Sequence, residues 1–147
     1  MGAFQNTIDL LGDDVVLKSL IDKSITEFKD DVLTTIGQNA LTSTSLQNLD
    51  LPNVKVFTDY GANQCSSLKS VNIPNVTSIG GYAFDGDRSL ESVRLPATPP
   101  TLENINAFNN IKSSCVFYIP TGSLSAYQSA TNWGTLTSKY TFVEEDR

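Results

Sequence analysis

The chain has 147 residues, 39% apolar and 18% charged, which is enough for one domain with a continuous core and too apolar for a disordered segment. A net charge of −6 with no run of Lys or Arg argues against nucleic acid as a partner, since a duplex binder needs a basic footprint on the phosphates. Histidine is absent, which removes Ser-His-Asp and Cys-His catalysis and every histidine-containing metal site.

The chain starts without a basic segment, and Asp9 interrupts the apolar run from Met1 to Leu11, so no signal peptide is read and first folding in a cytoplasm is expected. No apolar stretch of about 20 residues exists, so no membrane span is expected either. Phe4, Ile8 and Leu11 fall at helical spacing, Gly12 breaks the run, and Asp13-Asp14 precede Val15, Val16, Leu17, Leu20 and Ile21. Acidic residues at a helix start suit the macrodipole and supply a cap. The spacing predicts two short amphipathic helices, roughly 4–11 and 13–23. Residues 1–24 then have two roles of equal weight. They cap the first coil of a repeat stack, or they attach the chain to a larger body through Phe4, Ile8, Leu11, Val16 and Leu20.

From Leu46 the chain repeats itself. Leu46-x-x-Leu49-x-Leu51 returns as Leu68-x-x-Val71-x-Ile73 and as Leu90-x-x-Val93-x-Leu95, at a period of 22 residues. A period in the twenties predicts a solenoid. The fourth and sixth positions of each phrase are two apart and share one face of a strand. Stacking therefore brings Leu49, Val71 and Val93 into one buried ladder, and Leu51, Ile73 and Leu95 into a second. Pro52, Pro74, Pro96 and Pro120 end the strands, because proline has no N–H for the ladder. Val54 and Val76, Phe57 and Ile79, and Tyr60 and Tyr82 line the returning side. Gly61 and Ala83 are small where the chain turns closely.

Residues 25–45 read as a degenerate first repeat. Ile25 and Phe28 take the leading strand positions, and Leu33, Ile36-Gly37 and Ala40-Leu41 match Val76, Ile79-Gly80 and Ala83-Phe84. Asp30-Asp31 stand where Pro74 would. The third clear phrase is disturbed: Ala97-Thr98-Pro99-Pro100 predicts a loop bulging from the stack, and Asn106-Ala107-Phe108 restores the pattern late.

Residues 114–147 close the solenoid. Cys115 to Pro120 form a last strand with Phe117 and Ile119 on the ladders. Thr121-Gly122-Ser123 is an N-cap signal for a helical run through Leu124, Tyr127, Ala130 and Trp133, whose rings cover the last coil. Thr141-Phe142-Val143 reads as a short final strand and Glu144 to Arg147 as a solvated tail. Cys65 and Cys115 are not at matching repeat positions and read as buried or half-buried thiols rather than a disulfide. The fold class is an α/β repeat solenoid of about 4–5 coils. Its segments are a helical segment 1–24, repeats over 25–113 and a last strand with a helical cap over 114–147.

Chemistry is sparse. Asp13-Asp14, Asp30-Asp31 and Asp85-Gly86-Asp87 read as solvated charge, because a solenoid turn offers no cleft across which two carboxylates can face each other. The acid and glycine spacing of a calcium loop is absent at 85–87. No catalytic residue, metal or cofactor is assigned. Binding is the better reading. The outward strand positions carry Asn48, Ser70 and Ser92 in one row, and Asp50, Asn72, Arg94 and Tyr118 in the next. With strands about 4.8 Å apart they make a polar sheet roughly 20 Å across, a surface for protein or glycan. Taken singly, each residue reads slightly more readily as an ordinary soluble position; the sheet as a whole carries the binding reading. Lys69 and Glu91 are expected to pair across strands.

The phrase Leu-x-x-Val-x-Ile-Pro-Asn-Val-Thr-Ser-Ile-Gly-Gly-Tyr-Ala-Phe at 68–84, its partner at 46–62, and Tyr118-Ile119-Pro120 through Tyr127 to Trp133 resemble the BspA-type leucine-rich repeats of bacterial surface proteins. Val54 and Val76 stand where the commoner leucine-rich repeat has Asn or Cys, and Asn53 and Asn75 come one place earlier. A straighter, shorter stack without a buried asparagine ladder is implied. The resemblance implies a non-enzymatic interaction protein. Short chains of this make-up also resemble accessory virion proteins of tailed bacteriophages. That likeness implies a fibre, baseplate or head decoration located in the virion, a symmetric homo-oligomer with other virion proteins as partners. The alternative is an adhesion module for host-surface protein or glycan, at a bacterial surface or in the cytoplasm.

Overall fold

The computed structural model describes residues 26–147. The helices expected over 1–24, with Phe4, Ile8, Leu11, Val16 and Leu20, lie outside the described residues, as does Ile25. Each coil contributes one strand to each of two sheets: β1 (Glu27–Lys29) and β2 (Thr35–Ile36), β3 (Asn48–Asp50) and β4 (Val56–Phe57), β5 (Ser70–Asn72) and β6 (Ser78–Ile79), β7 (Ser92–Arg94) and β8 (Thr101–Leu102). The chain then forms β9 (Val116–Pro120), helix α1 (Leu124–Ser129), helix α2 (Trp133–Lys139) and β10 (Thr141–Glu145). One sheet runs β1-β3-β5-β7-β9-β10 and the other β2-β4-β6-β8, parallel throughout. The chain is a repeat solenoid. No helix among the described residues is long and apolar enough to cross a membrane.

Each three-residue strand of the larger sheet buries its middle residue, the outcome of the period-2 alternation in the sequence. Register then stacks Phe28, Leu49, Val71, Val93 and Phe117 into a single ladder. Leu51, Ile73, Leu95 and Ile119, two residues on, are also fully buried. In the first coil Asp30 follows β1 at the place of Leu51. Its Oδ1 accepts from the N–H groups of Val32 and Leu33, both at 2.8 Å. An aspartate turn thus takes over the corner that proline makes elsewhere. Val54 and Val76 are buried, and the asparagines before them reach along the outside of the stack. Asn53 Nδ2 donates to Asp31 O at 2.5 Å, and Asn75 Nδ2 to Pro52 O at 2.7 Å.

The first three coils turn through left-handed residues four apart, Asn39 and Ser43, Tyr60 and Gln64, Tyr82 and Gly86, and the fourth through Asn110. Tyr60 and Tyr82 do not line the returning side as the repeat pattern predicts. They sit instead at this corner with φ 59, half-buried, with rings stacked at 5.3 Å. Left-handed backbone costs a non-glycine residue about 1–2 kcal/mol, and here the ring stack offsets part of it.

The C-terminal part departs further from expectation. The helical run breaks between α1 and α2 at Asn132, whose φ is 69 and whose Nδ2 donates to Leu102 O at 2.7 Å. Residues 97–100, expected to bulge away, end in a buried Pro100 and form the seat of the cap. Trp133 Nε1 donates to Pro100 O at 2.8 Å and Tyr127 Oη to Pro96 O at 2.6 Å. Glu144 to Arg147, expected as a solvated tail, are tied down. Glu144 and Glu145 belong to β10, and Asp146 Oδ1 accepts from Thr121 Oγ1 at 2.5 Å.

Ser123 stands at the N-cap of α1, yet it makes no capping bond, and its hydroxyl donates to Pro120 O. The cap comes from Glu144 instead, whose Oε2 accepts from Gly122 N–H and Leu124 N–H, each at 2.9 Å. Replacing Glu144 by alanine should therefore lower stability by about 0.5–1 kcal/mol, read as an earlier midpoint in urea. An unchanged midpoint would show the cap to be idle. Glu91, expected to pair with Lys69, takes Lys112 at 3.0 Å. The Lys112 hydrogen bond and charge hold its carboxyl below the usual range, with a smaller contribution from Lys69. Both cysteines are buried and free.

Candidate interaction surface

The outward residues of the larger sheet are ordered by the same register that builds the core. Glu27, Asn48, Ser70, Ser92 and Val116 form one row; Lys29, Asp50, Asn72, Arg94 and Tyr118 form the other. Asn48, Asp50, Ser70, Asn72, Ser92 and Arg94 line one shallow depression of about 420 Å³ together with Glu27 and Lys29. Sequence reasoning missed those last two. The signal for them is present, since they flank Phe28 in the degenerate first repeat as Asn48 and Asp50 flank Leu49.

Within the rows the side chains are held by their neighbours. Ser70 Oγ donates to Asn48 Oδ1 at 2.6 Å, and Asn72 Nδ2 to Asp50 Oδ1 at 2.8 Å. Lys29 lies 3.7 Å from the Asp50 carboxylate, a mostly exposed pair of small energetic weight. A surface fixed in this way loses little side-chain entropy when a partner binds. Of the charged lining residues, Lys29 pairs with Asp50 and Arg94 with Glu145, and the lining also carries the uncharged side chains of Asn48, Ser70, Asn72 and Ser92.

Tyr118 does not line the depression. It is half-buried one strand beyond Arg94, where the C-terminus crosses the sheet. Arg94 donates through Nε and Nη2 to Glu145 Oε2, at 2.9 and 2.6 Å. Arg147 donates to Leu95 O at 2.7 Å and Tyr118 O at 3.1 Å, and lies 3.2 Å from Glu145. Arg94 and Tyr118 therefore belong to an internal strap as much as to an open face. No sequence spacing foretells a contact between residues 51 apart.

Among the described residues no three acids, cysteines or histidines converge as metal ligands. Asp59 and Glu103, from flanking coils, share the Gly81 N–H at 2.9 and 3.0 Å. Asp87, expected as solvated charge, is fully buried.

A stack of parallel coils carrying an ordered polar sheet defines a binding repeat protein. Residues 18–133 match the model for the BspA type leucine-rich repeat region (6 copies), and the chain belongs to that family. Repeats of this family point to a protein-interaction or adhesion module and are generally non-enzymatic. A comparison with curated proteins returns no match.

Proposed function

We propose that the chain is a non-catalytic adhesion module that holds an extended, uncharged polar partner, such as a glycan or a polar peptide segment on a host surface, along its larger sheet. The carrying observation is the depression across β1, β3, β5 and β7, with amide and hydroxyl groups repeated at strand spacing and anchored by their neighbours. The test is an array of host-surface glycans and proteins probed with the wild-type chain and with Ser92→Arg. The variant places a long cation where a hydroxyl stood and should reduce binding by about tenfold or more, the loss of one well-placed hydrogen-bonding position. Equal binding by the two, or no binding by the wild type, would remove this reading.

A second reading places the chain in a phage particle, as a symmetric oligomer on a fibre, baseplate or head, held to other virion proteins through residues 1–24. The sequence supports it: Phe4, Ile8 and Leu11, and Val16 and Leu20, recur at helical spacing ahead of the clear repeats, an apolar pattern suited to attachment. Val16→Asp with Leu20→Asp in the full chain should abolish recovery of the protein in purified particles. Recovery of the wild type with cell envelope rather than particles would remove the virion setting.

A further inference from the structure

Thr44, Cys65, Asp87 and Ile111 each follow a left-handed residue, respectively Ser43, Gln64, Gly86 and Asn110, and hold the same place in successive coils. All four are buried, and Asp87 completely so. Asp87 Oδ1 accepts from Cys65 N–H at 2.8 Å, whereas Oδ2 has no hydrogen-bond partner among the described residues. The surroundings offer no countercharge. The Cys65 thiol donates to Leu41 O at 3.0 Å and lies 3.4 Å from Thr44 Oγ1. Asp85, on the same turn, is a like charge that accepts from Asn110 Nδ2 at 3.2 Å. Arg88 is exposed and forms no ion pair among the described residues, and the next coil presents Ile111. A carboxylate with one hydrogen bond and no cation is strongly disfavoured in such a place, whereas a neutral carboxyl is tolerated.

We propose that Asp87 is a proton-operated latch in the stack: protonated, it seals the turn over residues 84–90 between its neighbouring coils, and ionised, it draws that turn out toward water. Burial is the main cause that pushes the Asp87 carboxyl up, to about 9, against the Cys65 N–H, which lowers it; Asp85 adds a smaller push upward. The native chain thus holds a proton that the unfolded chain releases above the ordinary value of 3.8. The stabilising contribution is complete in acid below that value and is lost as pH rises toward the folded value. Glu91, lowered by Lys112, acts with the opposite sign in acid and cancels when wild type and an Asp87 variant are compared.

The experiment is urea unfolding of the full chain at pH 5, 7 and 9, for the wild type and for Asp87→Asn. The ratio of their unfolding constants should grow with pH by up to about tenfold per unit, the slope of a single proton. The Cys65 amide, corrected for intrinsic exchange, should lose hydrogen-exchange protection with pH in the wild type and keep it in Asp87→Asn. A ratio constant within about threefold from pH 5 to 9 would overturn the latch, since one linked proton demands more. Should Asp87→Asn not fold, wild-type unfolding at pH 7 must release about one proton to the buffer; release of none overturns the proposal as well.

Discussion

Trp133→Ala should lower the stability of the chain by about 3–5 kcal/mol, the largest loss expected from any single truncation here. Trp133 is the only tryptophan and is fully buried. Its ring meets Tyr127 at 5.1 Å, Phe108 at 5.9 Å, Phe142 at 6.3 Å and Phe117 at 6.4 Å between centroids, mostly edge-on or tilted. Alanine would leave a cavity among these rings and strip the buried Pro100 carbonyl of its indole donor. The damage should begin at the capped end. Amides of β9 and β10 should exchange faster than those of β3 and β5, while far-UV circular dichroism in urea reports the global loss. Trp133→Phe keeps a ring but no donor, and should cost about 1–2 kcal/mol more than a hydrogen bond lost in water would. Uniform loss of protection along the stack would show that the cap is not a separable unit of stability.

Gly80→Ala should cost about 3 kcal/mol, although alanine is normally a harmless replacement. A Cβ at Gly80 would stand 2.7 Å from Thr58 C and closer still to Asp59 N, atoms of the preceding coil's backbone. Neither can give way without parting the two coils. The backbone at Gly80 is not left-handed, so close approach alone demands the glycine. Gly122 shows the opposite case, with φ +90 and nothing within 4 Å of where a Cβ would stand. Gly122→Ala should therefore cost only the conformational strain, about 1–2 kcal/mol. Urea midpoints of the two variants give the comparison directly. Equal midpoints would mean that coil spacing relaxes and that the stack is softer than its packing implies.

The sheet face is legible in the sequence because it follows from strand periodicity. Once Leu49, Val71 and Val93 turn inward, Asn48, Asp50, Ser70, Asn72 and Ser92 must turn outward, and register lines them up without further information. The same logic puts Arg94 and Tyr118 on the correct face, but their engagement by Glu145 and Arg147 is not readable. That contact depends on where the chain comes back after two helices. Asp87 escapes sequence reasoning for a similar reason. An acid in Asp-Gly-Asp looks like a surface turn, and only the stacking of coils on both sides encloses it. The repeat pattern singles out Gly61 and Ala83 as the close-turn positions, yet a close approach to the neighbouring coil's backbone falls at Gly80. At Gly61 an added Cβ meets first the Phe57 side chain, at 2.7 Å, and the nearest backbone atom, Thr58 O, is 3.1 Å away.

By itself the sequence determined the solenoid, the two inward ladders, the proline corners, the free cysteines and the outward polar rows. Each of these rests on local rules, the period of 2 within a strand and the recurrence of one phrase along the chain. Tertiary structure alone decided the rest. It turned Pro96 to Pro100 into the seat of a cap, gave the α1 cap to Glu144 rather than Ser123, strapped the C-terminus over Arg94 and buried Asp87. The physical reason is common to all four. A polar group's partner or its absence is set by which distant backbone or side chain arrives beside it, and that is a property of the assembled stack.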